Sequence, residues 1–291
     1  MGLSPYQYQL GSVVFGRNTQ IPISKVEPQP YQVNNQDFQV ERTDENRFGI
    51  DTLAPGSLVF TMAVLENFVL ESMADFSTVM PVFDDLFAAR GSLLPQLAKE
   101  WKGNDVRPFW GATKPLLCCD GFGVVRRIYG RPGKFVYAPR YNDNTLWIDV
   151  QAEFRRADTY AHNDTEFYIG PIAPDAPAEL AARDDGDADS WVRVLVYGPA
   201  THPIITYGGN TIELNVTVNP GVILEVSSYP WQRRVVDTEG FNWRAQVIGA
   251  TKYLDQIKFL AGDEIPISWT ATGTTVDSHL YFMWREAYNV V

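Results

Sequence analysis

Short segments that alternate apolar and polar residues recur along this chain, and each one demands a strand with one buried face. The clearest in the first half covers residues 146–154, where Ile148, Val150, Ala152 and Phe154 face one way and Asp149, Gln151 and Glu153 the other. A polar outer face of this kind belongs to an antiparallel sheet wetted on one side. Residues 57–64 repeat the pattern with Leu58, Phe60, Met62 and Val64. Residues 211–218 do so again with Ile212, Leu214, Val216 and Val218. Further strands are expected at residues 6–15, 116–119, 123–129, 134–138, 191–197, 222–226, 265–270 and 280–284. Turn signals separate them: Asn219-Pro220-Gly221, Gly208-Gly209, Gly262-Asp263 and Gly273-Thr274. Regular short strands of this spacing make the second half a β-sandwich.

Helical spacing occurs in one region. Pro81 is placed to open a helix carrying Phe83, Leu86 and Phe87, and Gly91 to stop it. Leu94, Leu97, Ala98 and Trp101 continue the spacing, with Pro95 marking a fresh first turn and Gly103 the end. Residues 29–47 are polar and read as an extended loop or arm around Phe38-Gln39-Val40. Composition changes over residues 170–190, where Pro171, Pro174 and Pro177 precede the acidic run Asp184-Asp185-Gly186-Asp187-Ala188-Asp189. This stretch is expected to be a hinge or loop between two modules, residues 1–168 and 169–291. A chain of 291 residues suits two domains. The expected fold class is therefore mainly β, a β domain with a helix followed by a sandwich.

Charge and residue chemistry exclude more than they include. The net charge of −11 opposes a phosphate backbone. The basic clusters Arg126-Arg127 with Arg131 and Lys134, and Arg233-Arg234, are small, so no sequence-specific nucleic acid is expected as a partner. No apolar run is long enough to span a bilayer, and residues 1–15 lack the pattern of a secretory signal, so no membrane partner is expected and synthesis belongs to a cytoplasm. Cys118 and Cys119 are adjacent, badly placed to bridge each other, and read as small buried apolar residues.

His162, His202 and His279 show no metal-ligand spacing, and no nucleophile elbow or phosphate loop is present. His202, before Pro203, reads as a surface or turn residue. A calcium loop beginning at Asp185 would need Gly at its sixth position and an acid at its twelfth; Ser190 and Val196 stand there. No catalytic residue, cofactor-binding residue or metal ligand is assigned, no cofactor is implied, and the chain is read as not an enzyme. Trp269 and Trp284 fall in strands and are expected in the core. Trp231 and Trp243, in less regular stretches, are the candidates for an exposed carbohydrate-stacking surface, which is the alternative function.

Several segments in order resemble the distal tail proteins of long-tailed phages, especially those infecting actinobacteria, where they are also called minor tail proteins. They are Arg47-Phe48-Gly49-Ile50-Asp51 leading into residues 57–64, Ala98-Lys99-Glu100-Trp101 at a helix end, and the turn Tyr129-Gly130-Arg131-Pro132. Then come Tyr197-Gly198-Pro199-Ala200-Thr201-His202-Pro203, Pro230-Trp231-Gln232-Arg233-Arg234-Val235 and the closing Trp284-Arg285-Glu286-Ala287-Tyr288. The resemblance implies an N-terminal ring-forming β domain with a helix and an extended arm, and a galectin-like C-terminal β-sandwich. It also implies a virion tail-tip ring, usually of six copies, joining the tail tube protein to the tail-tip hub of the baseplate. Such a ring leaves a lumen for DNA and the tape measure protein.

Overall fold

The structure is a computed structural model, and it describes residues 2–29, 32–34, 38–39, 46–47, 52–65, 93–142, 145–183, 185–249, 253–261 and 264–289. The chain divides into two compact units, Met1–Thr159 and Tyr160–Val291. The division falls ahead of residue 168, because Phe167–Ile172 already pairs with His279–Trp284.

The first unit is an antiparallel sheet in the order Val13–Gly16, Gln7–Leu10, Lys114–Cys119, Val125–Asn142, Thr145–Arg156, Ser57–Val64, Ile23–Pro28. The alternation read in the sequence sets its faces: Leu58, Phe60, Met62 and Val64 are buried, and so are Ile148, Val150, Ala152 and Phe154. The helix Leu93–Lys102 lies on that face. Trp101 is its anchor, with ring centroids 5.7 Å from Phe15, 6.3 Å from Phe60 and 6.1 Å from Phe135. Its indole N–H donates to the Glu153 carbonyl at 2.9 Å, so burial leaves no orphaned donor. Gly103 ends the helix at φ +60°, the left-handed region that glycine enters without steric cost. From the arm, Gln32–Asn34 pairs with Thr52–Ala54 beyond it, and within it Phe38–Gln39 pairs with Asn46–Arg47. The expected helix at Pro81 to Gly91 and the turn from Phe48 to Asp51 lie outside the described residues.

One expectation for this unit is corrected. The segment Tyr129-Gly130-Arg131-Pro132 is not a turn: Val125–Asn142 is one strand, running through with a shift of register between Pro132 and Phe135. Gly130 permits it, since a Cβ there would stand 2.1 Å from the Arg155 carbonyl oxygen and 2.7 Å from the Phe154 ring. Gly130→Ala is therefore expected to destabilise this unit by about 1–3 kcal/mol, in the range of overpacked sites, and a urea titration of the variant checks it.

The second unit is a β-sandwich. One sheet runs Phe167–Ile172, His279–Trp284, Ser190–Tyr197, Ile223–Ser227, Arg234–Asp237; the other runs Glu179–Ala182, Glu264–Thr272, Ala200–Tyr207, Asn210–Leu214, Val247–Ile248. Alternate residues of each meet in the core: Val192, Val194 and Val196 from one, Ile205, Tyr207 and Ile212 from the other. Trp269 and Trp284 are core residues as expected, 1% and 5% exposed.

The sequence pattern over residues 211–218 suggested one strand, but it is split into Asn210–Leu214 and Thr217–Val218. Asn215 instead donates its N–H to the Gln246 carbonyl, and the Val216 carbonyl accepts from His202, while the apolar face stays buried throughout. After the Asn219–Gly221 turn, Ile223–Ser227 does not pair back on its predecessor; it crosses to the other sheet and pairs with Ser190–Tyr197.

Residues 170–190 are likewise not a hinge. Phe167–Ile172 and Glu179–Ala182 are strands, one in each sheet. Proline-rich composition marked a break in regular alternation, and the strands it interrupts are short edge strands, where proline is tolerated.

Candidate interaction surfaces

Between the helix and the strand Lys114–Cys119, residues 103–113 form a loop that folding alone does not explain. Arg107 donates from Nε to the Lys102 carbonyl at 2.6 Å, and from Nη2 to the carbonyls of Pro132 at 2.8 Å and Gly133 at 3.0 Å. Arg131 donates to the carbonyls of Phe109, at 2.6 Å, and Ala112. Asp105 meets Lys114 at 2.9 Å, and Lys114 also pairs with Glu100. Val106 is buried beneath. Held in this way, the loop presents Phe109 at 61% exposure and Trp110 at 101%. Two large aromatic side chains in water on a pinned loop bring no stability to the fold.

Beside it, the helix and the strand Val125–Asn142 enclose an open cleft of 750 Å³. Its walls include Ala98, Trp101, Phe135 and Tyr137, and Lys99 and Lys102 stand at its edge. Phe135 and Tyr137 are neighbours at 6.3 Å between centroids, so the wall is a run of rings.

In the second unit the acidic stretch turns out to be a clasp. Arg183 is fully buried and Glu286 nearly so, and they form an ion pair of 2.8 Å. Arg183 donates from Nη1 to the Phe259 carbonyl and from Nη2 to that of Ala188, both at 2.8 Å. Glu286 accepts from the Trp284 indole at 2.9 Å and from the Gly186 N–H at 3.1 Å. Tyr288 donates to Asp185 and the Asn289 N–H to Asp187, each at 2.8 Å. The loop thereby closes over the last strand, Ala287–Tyr288. Its acids accept hydrogen bonds; among the described residues no group of three His, Cys, Asp or Glu is placed to hold a metal ion.

The residues considered for chemistry are scattered. His162 is buried, its ring edge-on to Trp231 at 4.6 Å. His202 is exposed, 2.8 Å from Glu213. His279 stacks on Tyr197 at 4.1 Å. Trp231 and Trp243 are half-buried rather than presented. Trp231 stacks on Tyr229 at 4.8 Å, and Trp243 donates its indole N–H to Asp237 at 2.7 Å. Burial alone would raise the Asp237 carboxyl, but this bond and those from the Phe241 and Glu239 N–H groups outweigh it and hold the carboxyl below its usual range. The second basic cluster is exposed but engaged within its own unit: Arg234 makes a two-pronged pair with Glu225, and Arg233 lies over the Trp191 ring.

Cys118 and Cys119 are both free and buried. Burial pushes the Cys118 thiol up to about 12, so the reactive thiolate is disfavoured there at pH 8. Native protein is expected to leave Ellman's reagent uncoloured, and urea-unfolded protein to release two equivalents. Rapid colour from native protein would contradict this burial.

The sandwich and the helix-backed antiparallel sheet define a class: a mainly β chain with the fold of the Dit hub proteins of phage tails. The likeness is to the crystal structure of the SPP1 Dit (gp 19.1) protein, described as a paradigm of the hub adsorption apparatus in Gram-positive infecting phages. It has a TM-score of 0.50 and 12% identity, and covers 92% of this chain and 93% of that one. A structure of the phage P2 baseplate in its activated conformation with Ca aligns at a TM-score of 0.48 and 9% identity, over 98% of this chain and 99% of that one. No family model and no curated protein matches the sequence.

Proposed function

We propose that this chain is a distal tail protein of a long-tailed phage, a structural virion component rather than an enzyme. The observation that carries the reading is the likeness of fold to the SPP1 Dit protein along nearly the whole of both chains. The segment order quoted from the sequence supports the same family and an actinobacterial host. The first unit is the ring-forming domain and the second a galectin-like domain; six copies assemble in the host cytoplasm into a ring at the tail tip. The ring joins the tail tube protein to the tail-tip hub of the baseplate and leaves a lumen through which the tape measure protein and DNA pass.

Ring closure has a physical requirement. A head-to-tail interface closes only when its rotation divides the circle; otherwise it grows a filament. An arm that adds strands to a neighbour's sheet fixes that rotation, and residues 29–47 are suited to it. Carbohydrate stacking by Trp231 or Trp243 is the weaker reading, because both indoles are already engaged within the unit.

The test is location. Antibody raised against the chain is expected to decorate the distal tip of purified virions, and a phage lacking the gene to accumulate heads without completed tails. Absence of the chain from purified virions would overturn the proposal.

A further inference from the structure

We propose that Trp110, with Phe109 beside it, is the plug of a head-to-tail contact between copies of this chain. The cleft between the helix Leu93–Lys102 and the strand Val125–Asn142 of the next copy receives it. The inference rests on the ring-forming reading above and names the surfaces through which one copy meets the next.

The plug is ready to bind. Trp110 is wholly exposed, yet the backbone on both sides is tied, with Arg131 bonded to the carbonyls of Phe109 and Ala112. A side chain displayed on fixed backbone loses little conformational freedom on docking, so most of its burial appears as affinity. Tryptophan and arginine are the residues most often found to dominate interfaces when they enter a desolvated pocket. An indole buries about 200 Å² when it does so.

The cleft suits that plug in shape and charge. At 750 Å³ it has room for both aromatic rings. Its walls offer the rings of Phe135 and Tyr137 for edge-to-face packing, with Trp101 buried behind them. Lys99 and Lys102 at its edge can meet the electron-rich faces of the incoming rings. The tied loop holds a copy's own Trp110 in water, out of its own cleft. A plug and a socket that are different surfaces of one chain form a heterologous contact, the type that a closed ring of copies needs.

The test uses the full-length chain and two variants. Trp110→Ala removes the plug and, because the side chain is in water, is expected to leave the melting temperature unchanged. Ala98→Glu fills the socket on a helix that tolerates glutamate. Sedimentation is expected to show each variant associating at least about 30-fold more weakly than wild type. An equimolar mixture is expected to form a one-to-one dimer, joined by its single remaining plug and socket. If Trp110→Ala forms the wild-type ring, or the folded variants stay monomeric when mixed, the plug assignment falls and the ring stands. A wild-type chain that stays monomeric at every concentration removes the ring reading and the plug with it.

Discussion

Replacing Arg183 with alanine is expected to cost the second unit about 3–5 kcal/mol, because it strands a carboxylate in the protein interior. The Glu286 side chain is only 4% exposed and its partner is wholly buried. Every hydrogen-bonding arm of the pair is used: the guanidinium reaches the Phe259 and Ala188 carbonyls, and the carboxylate holds the Trp284 indole and the Gly186 N–H. Losing one partner leaves the other without compensation, which is costlier than never having built the pair. Glu286→Ala is expected to cost a similar amount. The double variant Arg183→Met, Glu286→Leu is expected to be more stable than either single one. Urea titration followed by tryptophan fluorescence reads all three. A loss below about 1 kcal/mol for both single variants would mean that the clasp is open in solution.

Trp101→Ala is the second large expectation, at about 3–5 kcal/mol in the first unit. The indole fills the space between helix and sheet, among Phe15, Phe60 and Phe135, and its removal also leaves the Glu153 carbonyl without its donor. A helix of ten residues has little stability alone, so undocking should melt it. Hydrogen exchange is the direct probe: amides of residues 97–102 are expected to exchange far faster in the variant. Unchanged protection of those amides would show that the helix is held by something other than Trp101.

What the sequence revealed, and what it hid, follows from the range of each interaction. Strand faces depend on residues two apart, so the burial of Ile148, Val150, Ala152 and Phe154 could be read directly. Pairing partners could not: residues 211–218 carried a single unbroken pattern, yet the strand breaks because Asn215 is drawn to Gln246, far along the chain. The run at residues 170–190 misled in the same way. Its prolines and acids have the composition of a linker, but Arg183 and Glu286 are matched across a hundred intervening residues, and no local rule connects them. The irregular surroundings of Trp231 and Trp243 predict exposure, yet irregular backbone is compatible with half-burial. The signal for Trp110 is local: two adjacent aromatics in a loop that also holds Gly103, Asn104, Pro108 and Gly111.

The mass and symmetry of the purified full-length chain, by light scattering with negative-stain imaging, test the central claim most directly. A closed six-fold ring with a central hole is the expected result. A monodisperse monomer at every concentration, with no ring in any image, would contradict it.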